Sequence, residues 1–565
     1  MSVLRSSQRP PASQAAAPAA PTHSIHAVRS KTLGTLARGP LLGGLVLLAL
    51  ALPAAAAGRS SIGRGPTVYG ALASLQHSGT LSAEAYGSDS STYTEALHAV
   101  KRLSGTRHVE LSSVIANVQQ IAAAGEFIPS RLPALFLTLE HNVQWWTSEP
   151  LLAADQRVSF PESRIVWEYY PGQGIEIQWL ATFGEANGYY LEGHENTQLR
   201  EVLDEVIPLA TQRAGGIAWE YMFHFDGGSP PWTSGLSQGT ALQALARAYS
   251  RLKEPAYLTA AKQALGLFQT PPPAGVRVVT PAGAHYLEYT YAPKERILNG
   301  FIQAVTGLYD YAKLTGDPLG AQLFEAGDSE ARIEVPHYDT GAWSMYDQHS
   351  ESNLNYHELL AEFLQNLCQR TSLGPPIPPA SPAPPPATPA APTPPATTPT
   401  TPAPPAGTTG GAAATIASGR SPTGAVAADA VAAAATATPA APPTPIPGDA
   451  IYCTTAQRFT TDLHTAPVIA LLTRTLHTKT RGGVQLSLSK IATVSLTIRR
   501  GTKVVWTNSA LVEGGRPRLL WVTPAQPGTY SLSISATDLA GNSASTSGTI
   551  ALSAGGRDPN PAKRH

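Results

Sequence analysis

The sequence predicts a multidomain protein in which a domain of paired helices is followed by a linker and a small β domain. Three observations predict this order. Apolar residues recur at helical spacing in the body of the chain, proline concentrates in one later stretch, and apolar and polar residues alternate after it. The predicted segments are 1–58, 59–373, 374–449, 450–553 and a tail of 554–565.

Pairs of helices are predicted because apolar stripes recur about every 60 residues along the body of the chain. Residues 237–252 form one stripe, and the turn at Lys253-Glu254-Pro255 separates it from the next, since proline suits the first turn of a helix. Similar pairs are predicted within 179–207, 298–328 and 108–146. Repeated antiparallel pairs predict an α/α toroid whose connecting loops meet at a mouth, and a superhelical solenoid is the alternative.

The first 58 residues resemble an export signal. They contain no acidic residue, carry five Arg and Lys residues, and end in the apolar run from Leu41 to Ala57. A basic start, an apolar middle and a small-residue end predict a secretory signal with cleavage near Gly58. An uncleaved N-terminal anchor is the alternative. Both interpretations place the protein outside the cytoplasm, either secreted or in the cell envelope.

The segment 374–449 consists mostly of Pro, Ala, Thr and Gly and contains no aromatic residue. Such a composition cannot bury enough apolar surface to offset the entropy of ordering, so a disordered linker is predicted. Apolar and polar residues then alternate at 484–488, 494–498 and 530–534, which predicts a small β-sandwich. Its last strands resemble those of bacterial Ig-like domains. Trp506 and Trp521 are expected in its core, and a sugar-binding platform is the alternative.

Charge and cysteine content exclude several functions. Lys plus Arg (39) balances Asp plus Glu (39), so the chain lacks the basic excess that nucleic acid requires. The two cysteines, Cys368 and Cys453, exclude a disulfide-rich scaffold and a four-cysteine zinc site. A bridge between them is an option in an oxidising compartment, whereas two separate buried thiols are the favoured interpretation. The histidines lack metal-ligand spacing, and no cofactor is predicted.

Aromatic and polar residues concentrate in the connections between the helical pairs. The richest connections are 167–174, 219–232, 286–291 and 338–347. Loops on a rigid scaffold are where binding residues collect. Aromatic faces pack on the C–H faces of sugar rings, while amides, carboxylates and phenols bind hydroxyl groups. These connections therefore predict a carbohydrate-binding cleft.

Several motifs in this region resemble the C-terminal domain of D-glucuronyl C5-epimerases. They are Tyr170-Pro-Gly-Gln-Gly174, Leu180-Ala-Thr-Phe-Gly184, Ser237-Gln238-Gly239, Glu288-Tyr289, Leu298-Asn299-Gly300-Phe301, Tyr338-Asp-Thr-Gly341, Tyr346-Asp347 and Tyr356-His357. The motifs occur in order over about residues 165–368. The resemblance implies inversion at C5 of D-glucuronate, or a similar uronate, in a polysaccharide by removal and return of a proton.

The resemblance also implies the site residues. The catalytic residues implied are Glu288, Tyr289, Tyr346 and Tyr356. The reaction needs an acid and a base on opposite ring faces and donors for the developing negative charge. Tyr346 is expected to act on one face, and either Glu288 or Tyr356 on the other. The expected substrate contacts are Tyr170, Gln178, Trp232, Gln238, Arg296, Asn299, Tyr338, His349 and His357.

Two positions depart from the family pattern. His349 stands where the family has an arginine, and Asn355 replaces an acidic residue before Tyr356. Arginine pairs a carboxylate through two hydrogen bonds, whereas histidine is a weaker, pH-dependent substitute. Arg296 or Lys294 is the alternative source of positive charge.

The expected partner is an unsulfated uronate polymer or surface glycan, since a net charge of zero gives no support for a highly sulfated ligand. A homodimer and contact with the cell envelope through the β domain are further expectations. Two other functions stay open, because a fold does not fix a reaction. One is a polysaccharide lyase or glycoside hydrolase on the same toroid, and the other is a non-catalytic glycan-binding surface protein.

Overall fold

The computed structural model describes residues 65–161, 163–373 and 450–554. The predicted signal segment, the predicted linker and nearly all of the predicted tail lie outside these residues. The helices are α1 (Val68–His77), α2 (Ala83–Val100), α3 (Gly105–Ala123), α4 (Leu132–Ser148), α5 (Trp179–Glu192), α6 (Asn196–Val206), α7 (Gly235–Leu252), α8 (Pro255–Ala264), α9 (Gly266–Gln269), α10 (Leu298–Thr315), α11 (Pro318–Glu334), α12 (Leu354–Leu373) and α13 (Ala450–Asp462). Across the described ranges, no helix is both long and apolar enough to cross a bilayer.

The strands fall into two groups. Short hairpin strands lie between the helices, and longer strands form the C-terminal region. They are β1 (Arg157–Val158), β2 (Trp167–Tyr170), β3 (Gly174–Ile177), β4 (Thr211–Arg213), β5 (Gly216–Ala218), β6 (Arg277–Val279), β7 (Ala284–Tyr286), β8 (Ile469–Leu471), β9 (Thr475–His477), β10 (Arg481–Leu488), β11 (Ala492–Arg500), β12 (Lys503–Val512), β13 (Arg518–Val522), β14 (Gly528–Asp538) and β15 (Ser543–Ser553). The chain is thus helical first and β-rich at its C-terminal end.

Helical pairs form the body of the chain, which confirms the prediction from periodicity. Helix α7 ends at Lys253, whose backbone is left-handed (φ 61°), and Pro255 opens α8. The same arrangement recurs where Gly316 (φ 68°) ends α10 and the Asp317 carboxylate caps the first turn of α11. Helices α1 and α2 were not predicted, because α2 buries only Tyr93 and two alanines and so lacks an apolar stripe.

Helices α7 and α10 lie at the centre of the helical domain. Residues 235–248 of α7 and 298–312 of α10 are all buried. The two backbones touch at glycines, since a Cβ atom on Gly307 would lie 2.1 Å from the carbonyl oxygen of Gly239. This contact explains Gly239 in the Ser237-Gln238-Gly239 motif. It also fixes the loops that precede both helices.

The C-terminal region contains two sheets that share one hydrophobic core. Three strands pair in the order β13-β10-β8, and five pair in the order β12-β11-β14-β15-β9. Val484, Leu496 and Tyr530 from both sheets are buried in this core. The predicted strands at 484–488, 494–498 and 530–534 are confirmed. Trp521 lies in the core and Trp506 packs against it, as expected.

The sequence predicted that the β domain begins at residue 450, whereas the structure has a helix at this point. Helix α13 comes first, and it buries Tyr452, Ala456 and Phe459 in the core of the helical domain. These three residues have helical spacing, but a stripe of only three is too short to predict a helix. The sequence therefore assigns this segment to the strands that follow it. By its packing, α13 completes the helical domain.

Cys368 and Cys453 form a disulfide, which corrects the favoured interpretation of two separate thiols. Their Cα atoms lie 5.0 Å apart, although 85 positions separate them in the sequence. Cys368 lies on α12 and Cys453 on α13, and the packing of α13 brings the two together. The bond therefore joins the start of the C-terminal region to the helical domain.

Replacing Cys453 with serine is expected to lower the free energy of unfolding by about 2–5 kcal/mol, because the loop-closing bond is lost. Denaturant unfolding of the oxidised protein measures this. Cys368→Ser is the matched control and should cost the same, and the double variant should cost no more than either single one. Two titratable thiols in the unreduced wild-type protein would contradict the prediction.

Candidate active site

The four residues expected to be catalytic lie together and form what we call the acid–tyrosine cluster: Glu288, Tyr289, Tyr346 and Tyr356. The ring centroids of Tyr346 and Tyr356 are 4.7 Å apart. Burial raises the pKa of Tyr289, and the neighbouring Glu288 and Tyr346 raise it further. Burial likewise raises the pKa of Tyr346, to which Glu288 and Tyr356 add. The cluster therefore runs in the order Glu288, Tyr289, Tyr346, Tyr356.

Backbone hydrogen bonds tie together the loops that carry the cluster. The amide of Gly235, at the start of α7, donates to the carbonyl of Glu288 over 3.1 Å. The amide of Leu298, at the start of α10, donates to the carbonyl of Tyr346 over 3.3 Å. The two central helices thus begin where the cluster lies, and their packing sets its position.

Glu288 is the buried end of the cluster, with 8% of its surface exposed. Burial raises the pKa of its carboxyl to about 7, the Tyr289 hydroxyl opposes this rise, and the charge of Glu295 adds to it. Its Oε2 atom has no hydrogen-bond partner. A Cβ atom at Gly300 would lie only 2.4 Å from this oxygen. The Leu-Asn-Gly-Phe motif therefore contains glycine because the carboxyl occupies the space of a side chain.

Two further polar atoms near Glu288 are buried without a hydrogen-bond partner: the Asn299 side-chain oxygen and the Tyr291 hydroxyl. Burial raises the pKa of Tyr291, as do the charges of Asp226, Glu295 and Glu288. Its ring stacks on that of Tyr289 at 5.2 Å. Sequence reasoning did not select Tyr291 as a site residue. Its position two residues after Tyr289 in an extended segment was the available signal, because such residues share a face.

Tyr170 and Gln178 lie beside the cluster and are half-buried. The Gln178 amide donates to the Tyr170 hydroxyl over 2.6 Å and accepts from the Tyr221 hydroxyl over 3.2 Å. Burial raises the pKa of Tyr221, and the charge of Glu288 is among the smaller contributions. The Tyr170 ring also packs against Phe225, whose ring lies 5.9 Å from that of Tyr289 in the cluster. Sequence reasoning did not single out Tyr221, which lies among several other aromatic residues in the connection 219–232.

The hairpin that carries Tyr170 is held by Glu110, a buried residue of α3. The amides of Gly172 and Gly174 donate to Glu110 Oε2 over 2.8 and 3.1 Å. Both glycines have left-handed backbones, and a Cβ atom at Gly174 would lie 2.4 Å from Val114. The glycines of the Tyr-Pro-Gly-x-Gly motif therefore serve the hairpin. No motif or spacing in the sequence pointed to Glu110.

Gln238 and Trp232 are buried inside the protein, which corrects the expectation that they contact substrate. Gln238 is 1% exposed, and its amide donates to two backbone carbonyls, of Ile217 and Ala264, over 2.9 and 3.1 Å. Trp232 is 3% exposed, and its indole donates to the carbonyl of Phe223 over 2.8 Å. Both residues support the walls of the site.

Tyr338 and His357 are also buried and bonded within the protein, so neither is free for a sugar hydroxyl. The Tyr338 hydroxyl donates to the carbonyl of Arg296 over 2.7 Å. His357 Nδ1 accepts from the amide of Ser344 over 3.1 Å, and Nε2 contacts the carbonyl of Phe459 at 2.9 Å. The motifs that contain Tyr338 and His357 predict ligand contacts, whereas in the structure these two side chains hold loops in place.

Arg296 and His349, two expected sources of positive charge, act on carboxyl groups other than Glu288. The Arg296 guanidinium donates to backbone carbonyls of its own loop and opposes the burial that raises the pKa of Glu334 to about 7. His349 is exposed and acts on Glu295, where it opposes the rise in pKa that burial causes. The groups that shift the pKa values of the described cluster residues are acidic or phenolic.

The fold and the site define the class of this domain as helical, with a buried carboxyl beside three phenols on its connecting segments. Comparison with known proteins narrows this class. Residues 213–374 match the family model for the D-glucuronyl C5-epimerase C-terminus. This segment is thus similar to the C-terminus of the D-glucuronyl C5-epimerases, a family of isomerases that act on carbohydrates.

Two curated relatives match parts of the chain. D-glucuronyl C5-epimerase of Caenorhabditis elegans is 32% identical over 131 residues, which are 21% of this chain and 21% of that protein. An uncharacterized protein of Methanocaldococcus jannaschii is 30% identical over 138 residues, which are 23% of this chain and 45% of that protein. The chain thus spans less than half the length of either relative.

The raised pKa of Glu288 predicts a pH dependence of stability. The native pKa of about 7 lies above the ordinary value of 4.5, so the native state keeps a proton that the unfolded chain has released. Stability should therefore fall as pH rises from about 4.5 to 7. Glu288→Gln lacks this loss and should gain up to roughly 3 kcal/mol over wild type across the same window. Denaturant unfolding at both ends of the window measures the difference, and equal responses of the two proteins would contradict it.

Proposed function

We propose that this protein is a uronyl C5-epimerase that acts on a polysaccharide at the acid–tyrosine cluster. The observation that carries the proposal is the placement of one carboxyl with a pKa near 7 beside three phenols, within a domain of the epimerase family. The carboxyl is poised to exchange a proton near neutral pH. The phenols keep theirs, because burial raises their pKa values.

The reaction needs donors as well as a base. Removing a proton next to an ionised carboxylate places a second negative charge on the same group, and hydrogen-bond donors that face this group stabilise it. The phenol of Tyr291, buried without a partner, is available as such a donor. The side-chain oxygen of Asn299 is available to accept from a sugar hydroxyl. Both atoms lack partners within the protein, which supports a ligand at this place.

In the proposed step, the Glu288 carboxylate takes the proton from C5. The C–H bond breaks, and its electron pair becomes part of an enediolate formed with the uronate carboxylate. Tyr346 donates its phenolic proton to the opposite face of C5, which forms the new C–H bond and leaves a phenolate. The proton on Glu288 then returns to Tyr346 through Tyr289, which interacts with both. Each turnover thus restores the starting state.

The substrate class we propose is an unsulfated uronate polymer. The cluster faces further acidic groups, since Glu295 raises the pKa of both Glu288 and Tyr346. Additional sulfates would be repelled by these acidic groups. Tyr356, in the first turn of α12, is 39% exposed and so marks the open side of the cluster. The loop that precedes α12 carries His349, which is also exposed.

The finer architecture and the setting belong to the same proposal. Consecutive helical hairpins support an α/α toroid, and two sheets around one core support an Ig-like β domain. The acid-free basic start and apolar run of the first 58 residues support export. The homodimer and the contact with the cell envelope stay predictions.

Incubation of uronate polymers with the protein in deuterated water tests the function. Deuterium at C5, together with iduronate or guluronate signals, is the expected result. Tyr346→Phe should lower this exchange by at least about a hundredfold, because the proton donor on one face is lost. Tyr69→Phe is the control, since it removes a tyrosine hydroxyl on α1, outside the acid–tyrosine cluster, and should leave exchange unchanged.

Other outcomes would replace the proposal. An unsaturated uronate product would indicate a lyase, and shortened chains without unsaturation would indicate a hydrolase. Binding without exchange would indicate a glycan-binding protein, a function that His349 in place of the family's arginine also favours. Exchange that Tyr346→Phe leaves unchanged would remove Tyr346 from the mechanism.

Restoring the arginine of the family is a separate test of substrate charge. His349→Arg is expected to lower KM for a uronate polymer by about tenfold, because a guanidinium pairs a carboxylate through two hydrogen bonds. His349→Gln, the uncharged control, should raise KM or leave it unchanged. Steady-state kinetics on one polymer of defined length compares the three proteins. Equal KM values for all three would place the substrate carboxylate away from this position.

A further inference from the structure

The loop that carries Tyr346 and Tyr356 is contacted from outside by the C-terminal region. We call residues 339–357 the tyrosine loop. The Glu351 carboxylate, on this loop, accepts a hydrogen bond from the amide of Gly514 over 2.7 Å. Glu351 pairs through its backbone with Met345, next to Tyr346, and the amide of Tyr346 donates to the carbonyl of Ser350. Glu351 thus bonds Gly514 through its side chain and pairs through its main chain with the residue next to Tyr346.

A second contact holds the other end of the tyrosine loop through His357. Its ring stacks on Trp343 at 3.6 Å between centroids. Nδ1 must act as an acceptor, because the amide of Ser344 donates to it, so the neutral ring carries its proton on Nε2 and donates to the carbonyl of Phe459. Burial lowers the pKa of His357 to about 4, which keeps the ring neutral. His357 directly follows Tyr356, so this bond anchors the first turn of α12 to α13.

Lys490 joins the parts that meet behind the tyrosine loop. It is 1% exposed, its ammonium group lies 2.8 Å from the Asp538 carboxylate, and it donates to the carbonyl of Asp462 at the end of α13. The same ammonium group lies 5.1 Å from the ring centroid of Trp343. A buried charge with these partners has a fixed position. The β region, α13 and the tyrosine loop therefore form one packed unit.

Helix α13 is itself fixed to the helical domain on its other side. The Cys368–Cys453 disulfide joins it to α12, and the Tyr452 hydroxyl donates to the Asp328 carboxylate of α11 over 2.8 Å. An ion pair between Arg458 and Asp339 adds a contact at the start of the tyrosine loop. The support behind the loop is thus tied to the same scaffold as the rest of the cluster.

We propose that the C-terminal region is a brace for catalysis, and that Glu351 and His357 are positioning residues for Tyr346 and Tyr356. A phenol that must donate to one face of a sugar ring needs its place held to a fraction of an ångström. The brace supplies this from a part of the chain that lies outside the matched family segment. Only the catalytic part of this inference rests on the proposed function.

Hydrogen–deuterium exchange of the full-length protein tests the brace without reference to activity. Glu351→Ala and His357→Phe should each raise exchange within residues 339–357 by roughly tenfold, since each removes hydrogen bonds that hold the loop. Glu351→Gln should restore wild-type exchange, because its amide oxygen still accepts from Gly514. Tyr530→Phe is the matched control. It removes a hydrogen bond to the Gln526 carbonyl within the β region and should leave the tyrosine loop unchanged.

Kinetics of the same four variants test the catalytic consequence. Glu351→Ala and His357→Phe are expected to lower kcat by about tenfold at unchanged KM, with Glu351→Gln and Tyr530→Phe close to wild type. Unchanged exchange in the tyrosine loop of both disruptive variants would overturn the brace, whatever their activity. Raised exchange with unchanged kcat would overturn its catalytic role. If wild type acts on no uronate polymer while exchange rises as expected, the proposed function fails and the brace stands.

Discussion

The close approach of α7 and α10 is the constraint on which the site depends. Both helices are buried on all sides over most of their length, and the missing side chains of Gly239 and Gly307 allow their backbones to touch. Because protein interiors are close-packed, a methyl group at either position would push the helices apart. Their first turns hold the loops of Glu288 and Tyr346. The geometry of the cluster is therefore decided in the core, one turn or more below the polar residues.

The family motifs combine two kinds of requirement that a sequence alone does not separate. In the Leu-Asn-Gly-Phe motif, Asn299 has an unpaired buried oxygen, whereas Gly300 leaves room for the Glu288 carboxyl. In the Ser-Gln-Gly motif, both Gln238 and Gly239 serve packing and backbone hydrogen bonds. A buried amide that satisfies two carbonyls is as intolerant of change as one that binds a ligand. A motif therefore marks a constrained place and leaves the reason for the constraint to the coordinates.

The sequence predicted the helices of the domain interior well, because α7 and α10 have continuous apolar faces and clear turn signals at Lys253 and Gly316. It predicted the four members of the acid–tyrosine cluster through their motifs. It could not predict Glu110 or Tyr221, since their partners are distant in sequence and no local pattern accompanies them. It also misplaced α13 and the disulfide, because both depend on a contact between segments on either side of the proline-rich stretch. Local periodicity carries no information about such long-range contacts.

The late position of α13 in the chain has a consequence for how the molecule is made. Synthesis proceeds from the N-terminus, so α1 to α12 are made before α13, the helix that packs beside α12. Until then, the apolar surface that later covers Tyr452 and Phe459 faces water, and the segment around Trp343 lacks its outer neighbours. A nascent or truncated chain would hence carry every residue of the cluster and still lack a finished site. The cluster is therefore fully supported only once the C-terminal region has been made and has packed against the helical domain.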